Sequence, residues 1–248
     1  MLRPKVIDLF SGVGGFSLGA ARAGFEVILG VDLDTHAIES HAINFPHAQH
    51  ARRNVDNLSG EKLRRLGGLN GHRLEGMIGG PPCQGFSKMG KMRKNDARNK
   101  LFYHFFRLVS EVKPLFFIAE NVPGILAPKY DVLREEAFRL INRDYEMLNP
   151  IEISAASAGA PTARSRIFFI GVAKDSGLSI PAVSEKKTFT GVNVQSAFEG
   201  LPVKIDEACC TSDDLWREVE TGDFTFVKRI NQLVENIGDA SALLALHD

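Results

Sequence analysis

At 248 residues, with 44% hydrophobic and 24% charged side chains, the chain has enough material for one sizeable core, or for one domain with a small appendage. That composition excludes the disordered and collagen-like classes. Thirty basic residues balance thirty acidic ones, which excludes nucleic-acid binding over the whole surface but leaves room for a local basic patch.

Short apolar runs alternate with amphipathic stretches, the pattern of an α/β sheet protein. Lys5–Phe10 reads as a first strand, Gly14–Ala23 as a helix closed by Gly24, Glu26–Asp32 as a second strand and Thr35–Asn44 as a second helix. Glu75–Gly79 reads as a third strand, Leu101–Glu111 as a helix, Leu115–Glu120 as a buried strand and Asp131–Asn142 as another helix. Glu146–Ser154 and Arg166–Ala173 then read as a strand pair. The alternation fades over Asp175–Val194, which sets an expected boundary between a main domain over 1–190 and an acidic extension over 191–248. In the extension, Phe226, Ile230, Leu233, Val234 and Ile237 share one helical face, suited to a core or to partner docking.

Charge is unevenly spread. Residues 1–198 carry 26 Lys/Arg against 19 Asp/Glu, whereas residues 199–248 carry 4 against 11, so the last fifth is not expected to face phosphates. Cys83, Cys209 and Cys210 form neither a disulfide framework nor a CxxC pair, and no metal site is expected. With no apolar run of about 18 residues and no leader-like N-terminus, the chain reads as cytoplasmic.

Val6–Ser17 reads as a buried strand feeding a glycine-rich turn and a helix. Glycines there let a ligand approach the backbone, and the helix N-terminus favours a negative group. Ser17 occupies the third glycine position of a GxGxxG fingerprint, which disfavours a dinucleotide and favours a cofactor carrying a carboxylate. Asp32, 20 residues beyond Gly12 at a strand end, is placed to accept ribose hydroxyls. A tight βα turn beside an exposed acid is the plainer alternative.

Cys83 follows Gly79-Gly80-Pro81-Pro82 and precedes Gln84-Gly85-Phe86-Ser87. Prolines restrict the backbone and aim the thiol, although a lone cysteine is more often a small buried hydrophobe. Thirty-seven residues later a buried strand ends in Glu120-Asn121-Val122-Pro123-Gly124, where α/β folds place their active sites.

Taken together and in this order, Asp8-Leu9-Phe10-Ser11-Gly12-Val13-Gly14-Gly15, the Pro81-Pro82-Cys83-Gln84 loop, Glu120-Asn121-Val122 and Arg164-Ser165-Arg166 resemble the DNA cytosine-5 methyltransferases over roughly residues 5–173. The resemblance implies a doubly wound, mostly parallel sheet of the S-adenosylmethionine-dependent methyltransferase type. It implies Cys83 as nucleophile toward C6 of a flipped-out cytosine, Glu120 on N3 and the exocyclic amine, and Arg166 with Arg164 steadying Glu120 and the O2 side of the base. For S-adenosylmethionine it implies stacking by Phe10, close approach at Gly12, Val13 and Gly15, ribose binding by Asp32 and packing by Leu33. Asn54 would meet the adenine, Val55 beside it would belong to the cofactor site, and Pro82 and Leu101 would close the pocket.

Two positions depart from the family pattern: Asn54 stands where an adenine-binding Asp is usual, and Thr162 where Gln is usual. Lys88–Lys100 holds six basic residues against one acid and is similar to the family's loop that closes on DNA. The usual target-recognition domain and final cofactor motif have no counterpart in 199–248. The expectation is therefore either a truncated chain or, in preference, the catalytic subunit of a bacterial restriction-modification methyltransferase, working on double-stranded DNA with a second polypeptide that supplies recognition and the last cofactor motif. The rival readings are a tRNA cytosine-5 methyltransferase, a non-catalytic methyltransferase-like module and a dinucleotide-dependent oxidoreductase.

Overall fold

The computed structural model describes residues 3–82, residues 99–178 and residue 193. Cys83 through Arg98, the expected domain boundary and the apolar helical stripe lie outside the described residues.

Among the described residues eight strands form one sheet: β1 (Lys5–Leu9), β2 (Glu26–Asp32), β3 (Gln49–Arg52), β4 (Gly76–Gly79), β5 (Phe116–Asn121), β6 (Tyr145–Met147), β7 (Ile151–Ser154) and β8 (Ser165–Ala173). Their spatial order is β3-β2-β1-β4-β5-β8-β6, with β7 also paired to β8. The first five strands run parallel, while β8 is antiparallel to β5 and to both β6 and β7. The helices are α1 (Gly15–Arg22), α2 (Thr35–Asn44), α3 (Gly60–Leu66), α4 (Asn99–Val112) and α5 (Asp131–Arg139). Among the described residues no helix is long and apolar enough to cross a membrane.

Period-two alternation sends the two faces of each strand into two cores. Ile7 and Leu9 of β1, Leu29 and Val31 of β2, Met77 of β4 and Phe117 of β5 join Phe102, Phe105, Phe106 and Val109 of α4 on one side. Val6, Val27 and Ile78 join Phe16 and Ala20 of α1 on the other. The larger core is rich in edge-to-face aromatic contacts, such as Phe106 against Phe117 at 5.5 Å and Phe102 against Phe169 at 5.6 Å between ring centres.

Local chemistry sets the element ends. Asp34 caps α2 by accepting from the Ala37 N–H at 2.9 Å, and Ser59 caps α3 through Lys62 N–H at 3.3 Å. Gly24, at φ +91°, ends α1 in the left-handed turn that the sequence anticipates.

Three features differ from the sequence reading. Residues 45–74, which carry no clear periodicity, contain β3, a 3-10 turn over Val55–Asn57 and α3. The expected strand Glu146–Ser154 is two strands, because Leu148–Pro150 breaks the ladder at a residue without an N–H. The helix expected over Asp131–Asn142 ends at Arg139 and continues as turns, with Ile141 and Asn142 N–H both bonding Phe138 C=O.

Strand order reverses beside β1, which lies between β2 and β4. Such a switch point leaves a crevice at the carboxyl ends of the strands. The turn after β1, Asp32, the Pro81-Pro82 segment and Glu120 all sit at that end.

Candidate active site

Glu120 and Asn121 close β5, next to the end of β4. The parallel register places Gly79 opposite Ala119, so the chain leaving β4 passes Glu120 and Asn121 as it enters Pro81-Pro82. Asn121 is 1% exposed, and its amide Nδ2 donates to the Pro81 carbonyl at 3.3 Å. Its Oδ1 accepts from Val122 N–H at 2.8 Å. The last described residues before Cys83 are thereby tied to the strand that carries Glu120.

The antiparallel register of β5 and β8 sets Glu120 opposite Phe168. Arg166, two residues along β8, projects on the same face as Glu120's diagonal neighbour, within reach of a long side chain. Its Nε meets Glu120 Oε1 at 2.6 Å, with side chains 18% and 9% exposed. Arg166 Nη1 also donates to Ser165 C=O at 2.8 Å, which fixes the plane of the guanidinium. Arg164, half-buried just before β8, gives its carbonyl to Ala155 N–H at 2.7 Å, which ties the start of β8 to the end of β7.

The expected cofactor residues gather at the same end of the sheet. After β1, Phe10 takes φ +60°, an uncommon conformation for a residue with a side chain, and Gly12 takes φ +54°. A Cβ at Gly12 would meet no atom within 4 Å, so the turn faces open space there. Asp32, ending β2, accepts Gly12 N–H on Oδ2 and Asp34 N–H on Oδ1, each at 2.9 Å. Each oxygen keeps a lone pair for a hydroxyl donor.

Beside this carboxylate, Leu33 is 60% and Val13 45% exposed. An oriented carboxylate between exposed apolar side chains fits the ribose and adenine of a nucleoside cofactor. Gly15 opens α1, Leu101 lies half-buried near the start of α4, and Pro82 is half-buried beyond β4. Asn54 caps the 3-10 turn, its Oδ1 accepting from Asp56 N–H at 3.3 Å.

One expected contact changes character. Val55 is 2% exposed, with its side chain in the larger core, so only its main chain can face a ligand.

A C-5 cytosine-specific DNA methylase family model matches residues 4–228. The chain belongs to that family.

Family relatives include the type II methyltransferase M.XorII of Xanthomonas oryzae, 40% identical over 75% of this chain and 44% of its own length. M1.HphI of Haemophilus parahaemolyticus is 41% identical over 69% of this chain and 46% of its own length. The chain thus spans less than half the length of these two relatives. A prophage-encoded E. coli protein, provisionally classed as a DNA modification methyltransferase, superposes with a TM-score of 0.71 at 50% identity. That superposition covers 82% of this chain and 56% of the other. This likeness and the observed topology agree with the doubly wound methyltransferase sheet expected from the family motifs.

Sequence reasoning missed a buried polar chain beneath the glycine turn of this family member. Ser17 Oγ donates to Asp8 Oδ2 at 2.6 Å and lies 3.0 Å from His41 Nε2. The His41 ring lies 5.0 Å from that of His50, and all of Asp8, Ser17 and His41 are fully buried. Burial pushes Asp8 up to about 7 and His41 down to about 4, so at neutral pH His41 is uncharged and Asp8 stands near its midpoint. Ser17 is therefore more than a failed glycine position, and an acid one residue before an apolar Leu-Phe pair is the signal that could have raised the question. Among the described residues no cluster of His, Cys, Asp and Glu could hold a metal ion.

Proposed function

We propose that this chain is the catalytic part of a DNA (cytosine-5)-methyltransferase that uses S-adenosylmethionine. The observation that carries the reading is the buried Arg166–Glu120 pair beside Pro81, two residues before the only cysteine of the Pro-Pro-Cys motif.

A cytosine inside a duplex is out of reach, so the target base is turned out of the stack. Cys83, as thiolate, forms a bond to C6 and raises electron density at C5. Glu120, oriented by Arg166, carries a proton to N3 and accepts from the exocyclic amine, which fixes the ring and neutralises the charge that the addition puts on it. When bound, S-adenosylmethionine supplies the electrophilic methyl. Asp32 holds the ribose through oxygens already oriented by Gly12 and Asp34, and Leu33 and Phe10 flank the adenine. Water takes the C5 proton, Cys83 leaves as thiolate and N3 returns its proton to Glu120, which restores the aromatic ring and the free enzyme.

DNA as the substrate rests on kinship with type II methyltransferases of restriction-modification systems. We assign target choice to residues outside this sequence, on the same or a second polypeptide. Covalent trapping on DNA containing 5-fluorocytosine, with S-adenosylmethionine present, tests the chemistry. With the target-recognition residues present on the same or the second polypeptide, the wild-type enzyme forms the adduct and Cys83→Ala does not; an adduct with Cys83→Ala would remove Cys83 from its role. Tritiated methyl transfer to tRNA rather than DNA would replace the substrate.

A further inference from the structure

The turn expected to meet the adenine is poorly held by its own hydrogen bonds. Asp56 N–H to Asn54 Oδ1, Asn57 N–H to Asn54 C=O and Leu58 N–H to Val55 C=O are all 3.3 Å, at the long end for such bonds. The shorter bonds come from α4. Arg107 Nη2 donates to Val55 C=O at 3.0 Å and to Leu58 C=O at 2.9 Å.

The rest of the guanidinium is committed as well. Nη1 meets Glu111 Oε1 at 2.7 Å, and Nε meets His104 Nδ1 at 3.0 Å. Glu111, one turn further along α4, uses its other oxygen to accept Gly60 N–H at 2.5 Å at the start of α3. A Cβ on Gly60 would lie 2.5 Å from Glu111 Cβ, so the two elements touch through a position where only glycine fits. A planar fork whose donors are used on fixed acceptors holds geometry better than a flexible ammonium.

We propose that Arg107 is a positioning residue for the adenine end of the cofactor, acting by fixing the Asn54–Leu58 turn against α4. The inference rests on the reading that Asn54 and Val55 form the adenine subsite. Because α4 begins at Asn99, within the last two residues of the basic stretch Lys88–Lys100, the same arginine ties the helix that continues that stretch to the nucleoside side of the pocket.

The test compares two ligands titrated calorimetrically into the purified chain: S-adenosylhomocysteine, and S-ribosylhomocysteine, which lacks the adenine. In Arg107→Ala the Kd for S-adenosylhomocysteine rises about tenfold, while that for S-ribosylhomocysteine stays within about twofold. Arg107→Lys, which keeps the charge without the fork, falls between wild type and Arg107→Ala.

General loosening of the fold would weaken both ligands alike, and that result overturns the proposal. Unchanged S-adenosylhomocysteine binding by Arg107→Ala, with Asn54→Ala still weakening it selectively, overturns the role of Arg107 and leaves the adenine subsite standing. If the wild-type protein shows no preference for the ligand with adenine, the subsite reading falls and the proposal with it. Should Arg107→Ala not fold, Glu111→Gln loosens the guanidinium and Gly60 together and is expected to act in the same direction, more weakly. An equal loss for both ligands in that variant counts against the proposal.

Discussion

Glu120 and Arg166 are joined because antiparallel pairing of β5 with β8 puts them on one face, one register step apart diagonally, at the end of the sheet where β4 delivers Pro81. The pair is nearly buried, so removing one partner leaves a charge with little water to solvate it. Arg166→Met is expected to destabilise the fold by about 3 kcal/mol, and the double variant with Glu120→Gln to recover most of that loss. Denaturant midpoints of the two single variants and the double variant give the coupling directly. Methyl transfer does not recover in the double variant, because Glu120 would still be missing from the base.

Gly79 ends β4 where a Cβ would lie 2.5 Å from the Leu9 carbonyl and 3.0 Å from the Phe105 ring. The backbone oxygen belongs to the neighbouring strand and cannot swing aside. Gly79→Ala is expected to destabilise by about 2 kcal/mol, a typical overpacking loss. It should also slow adduct formation on 5-fluorocytosine DNA beyond what the lost stability explains, because the displaced strand carries Pro81 and Pro82. A midpoint unchanged from wild type would show that β1 and β4 separate more easily than their register suggests.

Much of this is legible in the residues alone, and the reason is local. Pro81-Pro82-Cys83 and Glu120-Asn121 are contiguous motifs at strand ends, and β1, β2 and β5 announce themselves by burial and alternation. What stays hidden needs partners from distant elements. Ser17 reads as a substitute for glycine until Asp8 of β1 and His41 of α2 close around it. Arg107 reads as one more polar position on a helix, since the carbonyls it binds lie about 50 residues earlier. β3, with four residues, and α3, with seven, are too short for periodicity to declare them. Motif order singles out Val55 but does not show that its side chain packs into the core.

Gly12 separates stability from binding. With φ +54° and no atom within 4 Å of a methyl placed there, Gly12→Ala meets only the left-handed backbone penalty, about 1 kcal/mol. The open space it would fill is the side from which the proposed cofactor approaches. S-adenosylhomocysteine affinity is therefore expected to fall by more than the roughly fivefold to tenfold that such a penalty represents. Gly14→Ala is the contrast: its Cβ would run into the Phe45 ring at 2.3 Å, so stability falls first. Paired thermal melts and titrations distinguish the two patterns.

The Asp8–Ser17–His41 chain predicts a pH dependence with opposing parts. Asp8 titrates near 7 in the fold and at its ordinary 3.8 when unfolded, so between those values only the native state holds the proton. Its contribution to stability is complete below about 3.8 and falls by about 1.4 kcal/mol per pH unit until about 7. His41 is depressed from 6.5 to about 4, so between those values only the unfolded state holds the proton, and stability rises with pH over that range. From pH 4 to 6.5 the two slopes oppose each other in the wild-type protein. Asp8→Asn removes the falling part, and its stability relative to wild type is expected to climb steadily from about pH 4 to 7. His41→Asn removes the rising part, and its relative stability is expected to decline from about pH 4 to 6.5. Guanidinium unfolding at about pH 4.5, 5.5, 6.5 and 7.5 checks both signs, and parallel curves for wild type and Asp8→Asn would mean that Asp8 is already ionised in the folded protein.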